Sequence, residues 1–201
     1  MTGMADFSRV NGVIFDLDGT LVDSRLDFAV IRQEVGCPPD SGVLEFIDTL
    51  PAHRQAEAHA VVLRHERQGA ARATWMPGAQ AFLNHLRQHG LPTAILTRNA
   101  RELAGQTQAR LGIEVDLLLA REDCAPKPAP DGLLMIADYW ELPPSQLVYV
   151  GDFLYDLQAA RRAGMIACYY DPGRSGRFRQ HADWLLHDFH QAVVSGAPAS
   201  G

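Results

Sequence analysis

Chemistry in this chain concentrates in a few carboxylates, one hydroxyl and one ammonium. Asp16 and Asp18 follow a short apolar run, Gly12 to Phe15, and stand two residues apart. On an extended backbone they share one face. Two carboxylates about 4 Å apart repel by roughly 1 kcal/mol in water and about 4 kcal/mol at a protein-like dielectric. Such a pair persists where a cation joins it or where one carboxyl keeps its proton, and either state is chemically useful. Gly19 follows, where the backbone turns freely. Asp-x-Asp-Gly also suits a plain turn. A calcium-binding EF-hand loop does not fit, because its sixth position would be Leu21 and its last Asp27.

Lys127 is the only lysine in a chain whose Lys and Arg total 18. Chance can leave one lysine on a surface, but a compact ammonium also fits where a planar guanidinium fork cannot. It lies in the Pro-flanked loop Ala125-Pro126-Lys127-Pro128. Thr97 directly follows the apolar run that ends Ile95-Leu96, and Gly151-Asp152 follows Leu147 to Val150, with Asp156 four residues further on. These residue types suit a phosphate monoester. Carboxylates hold Mg²⁺, which prefers oxygen ligands. Metal and ammonium neutralise the phosphoryl oxygens, and a hydroxyl donates to one of them. A carboxylate can then attack phosphorus and form an acyl phosphate.

Strands and helices must bring these groups together. Gly12 to Phe15 reads as a buried strand. Ser24 and Asp27 have the spacing of a capping box, ahead of a helix that ends at Gly36 and Pro38-Pro39. A short helix through Val43 to Ile47 and a polar one from about Ala52 to Gln68 follow. Residues 24–76 therefore read as an inserted helical module without a strand. Pro77 opens a helix that ends near Gly90. From there strands at Thr93 to Leu96, Val115 to Leu119, Leu147 to Val150 and Ile166 to Tyr170 alternate with helices. Asn99, with Glu102 three residues on, reads as a helix cap. Pro130 opens a helix through Trp140, and another runs from about Asp156 to Arg162, ended by Gly164. Trp184 to Val194 reads as a closing helix, and the last six residues as a loose tail. This alternation predicts an α/β fold: a Rossmann-like, doubly wound parallel sheet formed by residues 1–23 and 77–201, with a helical insertion over 24–76. Ligands of such sheets bind at the carboxyl ends of the strands, where Asp16, Asp18, Thr97, Asp152 and Asp156 fall.

Composition sets limits. The 201 residues are 47% hydrophobic and 21% charged, enough for a full core and a small second module. A net charge of -6 and the absence of a basic run argue against a nucleic-acid partner. No stretch reads as a membrane span or a signal-peptide core. Cys37, Cys124 and Cys168 are odd in number and lack metal spacing, which fits reduced thiols in a cytoplasm. Nothing in the sequence sets an oligomeric state.

Taken together, these motifs resemble the haloacid dehalogenase superfamily, in the branch of phosphoglycolate phosphatase-like and β-phosphoglucomutase-like enzymes. Asp16-Leu17-Asp18-Gly19-Thr20 is similar to its first motif, Thr97 to the second, Lys127 to the third, and Gly151-Asp152 with Asp156 to the fourth. The resemblance implies a Mg²⁺-dependent phosphatase acting on a small phosphorylated metabolite. Asp16 would be nucleophile and metal ligand. Asp18 would be the acid and base, with its backbone carbonyl on the metal. Thr97 and Lys127 would hold the phosphoryl group, Asp152 would bind Mg²⁺, and Asp156 would support the metal shell or orient Lys127. The insertion would be a cap, compact enough to admit more than one substrate.

Other readings carry less. A dehalogenase would lack the acid at Asp18. A sugar-phosphate mutase of the same superfamily often has Val where Thr20 stands, which favours the phosphatase, and a non-catalytic phospho-ligand-binding protein would not need the full set of groups. His85 and His89 have helical metal spacing without an evident third ligand. Arg25, Arg54, Arg64, His65, Arg67 and Arg72 hold candidates for a substrate clamp. Arg98 and Asn99 border Thr97, and Asp123 and Asp131 flank the lysine loop.

Overall fold

Short apolar runs bounded by turns become strands here, and longer amphipathic stretches become helices. A computed structural model of the chain describes residues 2–39 and 41–195. In chain order the elements are β1 (Gly3–Met4), β2 (Gly12–Phe15), β3 (Val22–Asp23), α1 (Phe28–Val35), α2 (Val43–Asp48) and α3 (Ala52–Arg72). There follow β4 (Thr74–Trp75), α4 (Ala79–Gln88), β5 (Thr93–Leu96), α5 (Arg101–Leu111), β6 (Leu117–Leu119) and α6 (Asp131–Trp140). The chain continues through β7 (Leu147–Gly151), α7 (Leu154–Ala163), β8 (Ile166–Tyr170), β9 (Trp184–Leu186) and α8 (Phe189–Ser195).

The described residues fall into two compact units, one up to Asp23 and from Thr74 onward, the other Ser24–Ala73. The larger unit is built on a seven-stranded parallel sheet in the order β1-β9-β8-β7-β2-β5-β6. Central β2 is buried along its whole length, as a strand covered on both faces must be. Phe15 faces an aromatic layer with Phe82 of α4 and Phe189 of α8, at ring separations of 6.1 and 6.4 Å. Ile14 faces the opposite layer, where Leu133 and Ile136 of α6 and Leu157 of α7 are buried. Each such side chain contributes about 1.5–3 kcal/mol when fully buried. From β2 the chain adds strands outward on one side through β5 and β6, then returns to add β7, β8 and β9 on the other. The strand order thus reverses beside β2, and it is at the carboxyl ends beside such a reversal that ligands of open α/β sheets bind.

The smaller unit packs α1, α2 and α3 around Ile31, Val35, Ile47 and Val62. Glu34 of α1 pairs with Arg64 of α3 and lies 3.3 Å from His65. No helix among the described residues is long and apolar enough to cross a membrane.

Several local expectations change. Thr74–Trp75, within the stretch 24–76 expected to hold no strand, is a strand paired antiparallel with Val22–Asp23. The single residue pair on each side leaves no periodicity to detect. Trp184–Leu186 is also a strand, so the closing helix covers only Phe189–Ser195. A short apolar run does not distinguish strand from buried helix by itself. The Asp183 carboxylate settles it locally by accepting the Ala167 N–H at 2.9 Å, alongside β8. Asp27 alone caps α1, accepting from the N–H groups of Ala29 and Val30 at 3.0 and 3.1 Å. The expected tail lies outside the described residues.

Candidate active site at the carboxyl ends of β2, β5 and β7

The backbone turns sharply after β2. The N–H groups of Leu21 and Val22 both donate to the Leu17 carbonyl, at 3.0 and 2.9 Å, and that of Gly19 donates to Val22 O at 2.8 Å. Gly19 has φ +83°, and a Cβ there would sit 2.5 Å from an Asp152 carboxylate oxygen. Any side chain is therefore excluded twice, by backbone conformation and by contact. The turn is real, and it also carries the chemical groups.

Lys127 is the centre of the arrangement. It is 5% exposed. Its Nζ donates to Asp16 Oδ1 at 2.7 Å, to Asp156 Oδ1 at 2.7 Å and to the Tyr149 hydroxyl at 2.9 Å. The Tyr149 hydroxyl donates to the Leu96 carbonyl at 3.0 Å, which turns its lone pair toward the ammonium. All three ammonium hydrogens are thereby used. Burial works to lower the ammonium's pKa, but the carboxylates of Asp156 and Asp16 outweigh it and hold Lys127 charged above its ordinary range.

Asp156 is placed by α7. Its Oδ2 accepts the Phe153 N–H at 3.0 Å, closing the first turn of that helix, while Oδ1 faces Lys127. Gly151 makes the approach possible, since a Cβ there would lie 2.3 Å from the Asp156 Cβ. Asp16 continues the face of Ile14, the face that β7 shares through Tyr149. One carboxylate oxygen from each of Asp16, Asp152 and Asp156 lies within 4.8 Å of the others. Burial pushes the Asp16 carboxyl up to about 7, with Lys127 opposing and Asp156 adding to the rise. Burial also drives Asp152 well above the ordinary carboxylate range, reinforced by Asp16 and Asp156. Three carboxylates thus face one ammonium, and the donor set is oxygen throughout. A hard divalent cation fits these groups, because it would supply the missing positive charge. Asp156 has both oxygens engaged already, so Asp16 and Asp152 are the side chains best able to turn toward an ion.

Thr97 is buried directly after β5, and its hydroxyl oxygen accepts the Asn99 N–H at 3.2 Å, leaving the hydroxyl hydrogen to donate elsewhere. Asp18 is not part of the three-carboxylate group. Its Oδ2 accepts from the Asn99 side-chain amide. Asn99 is therefore not the cap of α5, whose N-cap is Ala100; the first helical N–H, of Arg101, goes to the Glu122 carboxylate at 2.9 Å. Sequence reasoning missed Tyr149 altogether, because it reads as one more apolar residue of β7. The one available signal was a phenol at a position buried on both sides, where a hydroxyl needs a partner.

The remaining candidates lie elsewhere. His85 and His89 stack with ring centres 4.2 Å apart, and a His89 ring nitrogen lies 2.8 Å from the His85 carbonyl oxygen. They join no metal-holding group among the described residues. Arg64 is engaged with Glu34, and Arg72 Nε donates to the Gln68 carbonyl at 3.2 Å. Asp123 accepts the Ala120 N–H at 2.7 Å and pairs with Arg101. Asp131 opens α6.

Known proteins share both sequence and fold with this chain. A family model described as haloacid dehalogenase-like hydrolase matches residues 10–164. A haloacid dehalogenase-like hydrolase domain-containing protein of Arabidopsis thaliana is 29% identical over 195 residues, covering 90% of this chain and 80% of the relative. A phosphoglycolate phosphatase of Cereibacter sphaeroides is 34% identical over 179 residues, covering 77% of this chain and 82% of the relative. Among solved structures, a haloacid dehalogenase-like family hydrolase from Streptococcus pneumoniae superposes with a TM-score of 0.73 at 21% identity, covering 93% of this chain and 98% of the other. That likeness speaks for the fold.

Proposed function

The chain belongs to the haloacid dehalogenase-like hydrolases, and from that premise we propose that it is a Mg²⁺-dependent phosphatase that cleaves a small phosphorylated metabolite through an aspartyl-phosphate on Asp16. The observation that carries this reading is the buried ammonium of Lys127, 2.7 Å from both Asp16 and Asp156, with the Asp152 carboxylate in the same cluster.

In this reading the Asp16 and Asp152 carboxylates and the Asp18 backbone carbonyl hold Mg²⁺, which when bound neutralises phosphoryl oxygens. Lys127 keeps its bonds to Asp156 and Tyr149 and exchanges the one to Asp16 for a phosphoryl oxygen. Thr97 donates its free hydroxyl hydrogen to another. A carboxylate oxygen of Asp16 attacks phosphorus while the bond to the ester oxygen breaks, and that oxygen takes a proton from Asp18. Asp18, now anionic, removes a proton from water as the water attacks the acyl phosphate, which releases phosphate and restores Asp16. The Asn99 amide on Asp18 holds the acid in one position through both halves.

The helical insertion, expected over 24–76, acts in this reading as a cap that selects which esters enter. A cytoplasmic site of action, with no nucleic-acid or membrane partner, is part of the same proposal, and the unpaired Cys37, Cys124 and Cys168 accord with it. A phosphate-release screen over phosphorylated metabolites, phosphoglycolate included, tests it with Mg²⁺ and with a chelator. Mg²⁺-dependent release that is lost in Asp152→Asn supports the assignment. Release that persists in the chelator, or no release from any ester, contradicts it.

A further inference from the structure

Phe153 breaks two local rules at once. It occupies the N-cap of α7, where Ser, Thr, Asp or Asn would serve an unpaired helical N–H and a benzyl group cannot. It also leaves 43% of its surface exposed, although a large ring stabilises most when buried. Local violations of this kind collect at functional positions. Phe153 is not alone. Its ring meets those of Tyr155 and Phe178 edge-on, both at 5.3 Å between centres. Phe178 in turn meets Tyr169 at 5.8 Å.

The rest of the ledge is fixed from beneath. After β8 the buried Asp171 carboxylate accepts from the Ser175 and Gly176 N–H groups at 3.0 and 2.8 Å and from the Ser175 hydroxyl at 3.0 Å. Tyr169 reaches the same Ser175 oxygen at 3.2 Å. This loop delivers Phe178 to Phe153. On the other flank the Arg98 guanidinium lies 5.4 Å from the Tyr155 ring centre. Phe153 is joined to Asp152 by a peptide bond and Arg98 to Thr97, so the cluster is carried by the same two strand ends as the proposed phosphoryl site.

We propose that Phe153, supported by Tyr155 and Phe178, receives the alcohol part of the substrate, and that this alcohol carries an aromatic ring. The assignment rests on the phosphatase reading above and names the substrate class of that same site. A ring set against Phe153 gains about two- to tenfold in affinity beyond the area it buries.

The test compares 2-phenylethyl phosphate with ethyl phosphate, which share a primary alcohol as leaving group and differ in the ring. With the wild-type chain we expect kcat/KM to favour the phenylethyl ester by about fivefold or more, carried by KM. That ratio falls toward one in Phe153→Ser, which restores a capping hydroxyl and so protects the helix, and also in Phe178→Ala. Turnover of other esters without a preference for the ring overturns the ledge alone, as does a preference that survives both substitutions. No phosphate release from any ester removes the phosphatase reading, and the ledge falls with it.

Discussion

The hydroxyl of Tyr149 stands 2.9 Å from the ammonium nitrogen of Lys127 and spends its own hydrogen on the Leu96 carbonyl, 3.0 Å away. It therefore acts toward Lys127 only as an acceptor. Tyr149→Phe removes the short bridge between the ammonium and the Leu96 carbonyl and leaves only their direct 3.4 Å contact, at a cost of about 1–3 kcal/mol. We expect kcat/KM to fall by about tenfold or more and the melting temperature to drop. Steady-state kinetics beside a thermal melt check both. Lys127→Arg should be worse, because a planar fork cannot take the place of an ammonium shared among three acceptors.

Gly151 is required by contact alone. A Cβ there lands 2.3 Å from the Asp156 Cβ, so Gly151→Ala must displace the carboxylate that tethers Lys127. Misplacement of this size costs about a hundredfold in turnover. Gly105 in α5 is the control, since a Cβ there meets nothing within 4 Å. Gly105→Ala should leave kcat unchanged and stabilise the chain by about 0.5–1 kcal/mol. Equal effects of the two substitutions would argue that the site tolerates movement of Asp156.

Asn99 holds Asp18 through its side-chain amide. Asn99→Ala should lower kcat by about tenfold with little change in KM, and the melting temperature should hold, because α5 takes its first N–H partner from Glu122. A loss of stability without loss of kcat would return Asn99 to a purely structural role.

The main features of the sheet were legible in the sequence because each central strand is an apolar run with clear ends. Gly12 to Phe15, Thr93 to Leu96 and Leu147 to Val150 all fall where the alternation placed them. The edges were not legible. Gly3–Met4 and Thr74–Trp75 are two residues each, too short for any period, and Trp184–Leu186 owes its extended form to β8 beside it. In the site, Asp16, Lys127, Asp152 and Asp156 do converge. What stayed hidden depends on distances across the fold. Tyr149 looked apolar by its neighbours, and Asn99 had a sufficient local reason to cap a helix until Asp18 came within its reach.

Metal and pH should act together on stability. The Asp16 carboxyl titrates near 3.8 when unfolded and is pushed up to about 7 by burial in the folded chain; Asp152 moves the same way. Below the unfolded value both states keep the proton, and no penalty arises. As pH rises toward the folded value, the unfolded chain ionises first, so the metal-free protein loses stability across that window. A divalent ion held by these carboxylates, as proposed for Mg²⁺, would relieve the penalty by stabilising the ionised forms. Its effect on the melting temperature should therefore be larger near pH 7 than at about pH 5. An equal effect at both would place the ion away from these carboxylates.

Acid quenching during turnover of an ester labelled in its phosphoryl group asks most directly whether Asp16 takes the phosphoryl group. We predict label bound covalently to the chain, recovered in the peptide that contains Asp16, and neither label nor turnover in Asp16→Asn. Label on another residue, or substantial phosphate release by Asp16→Asn, would contradict the account.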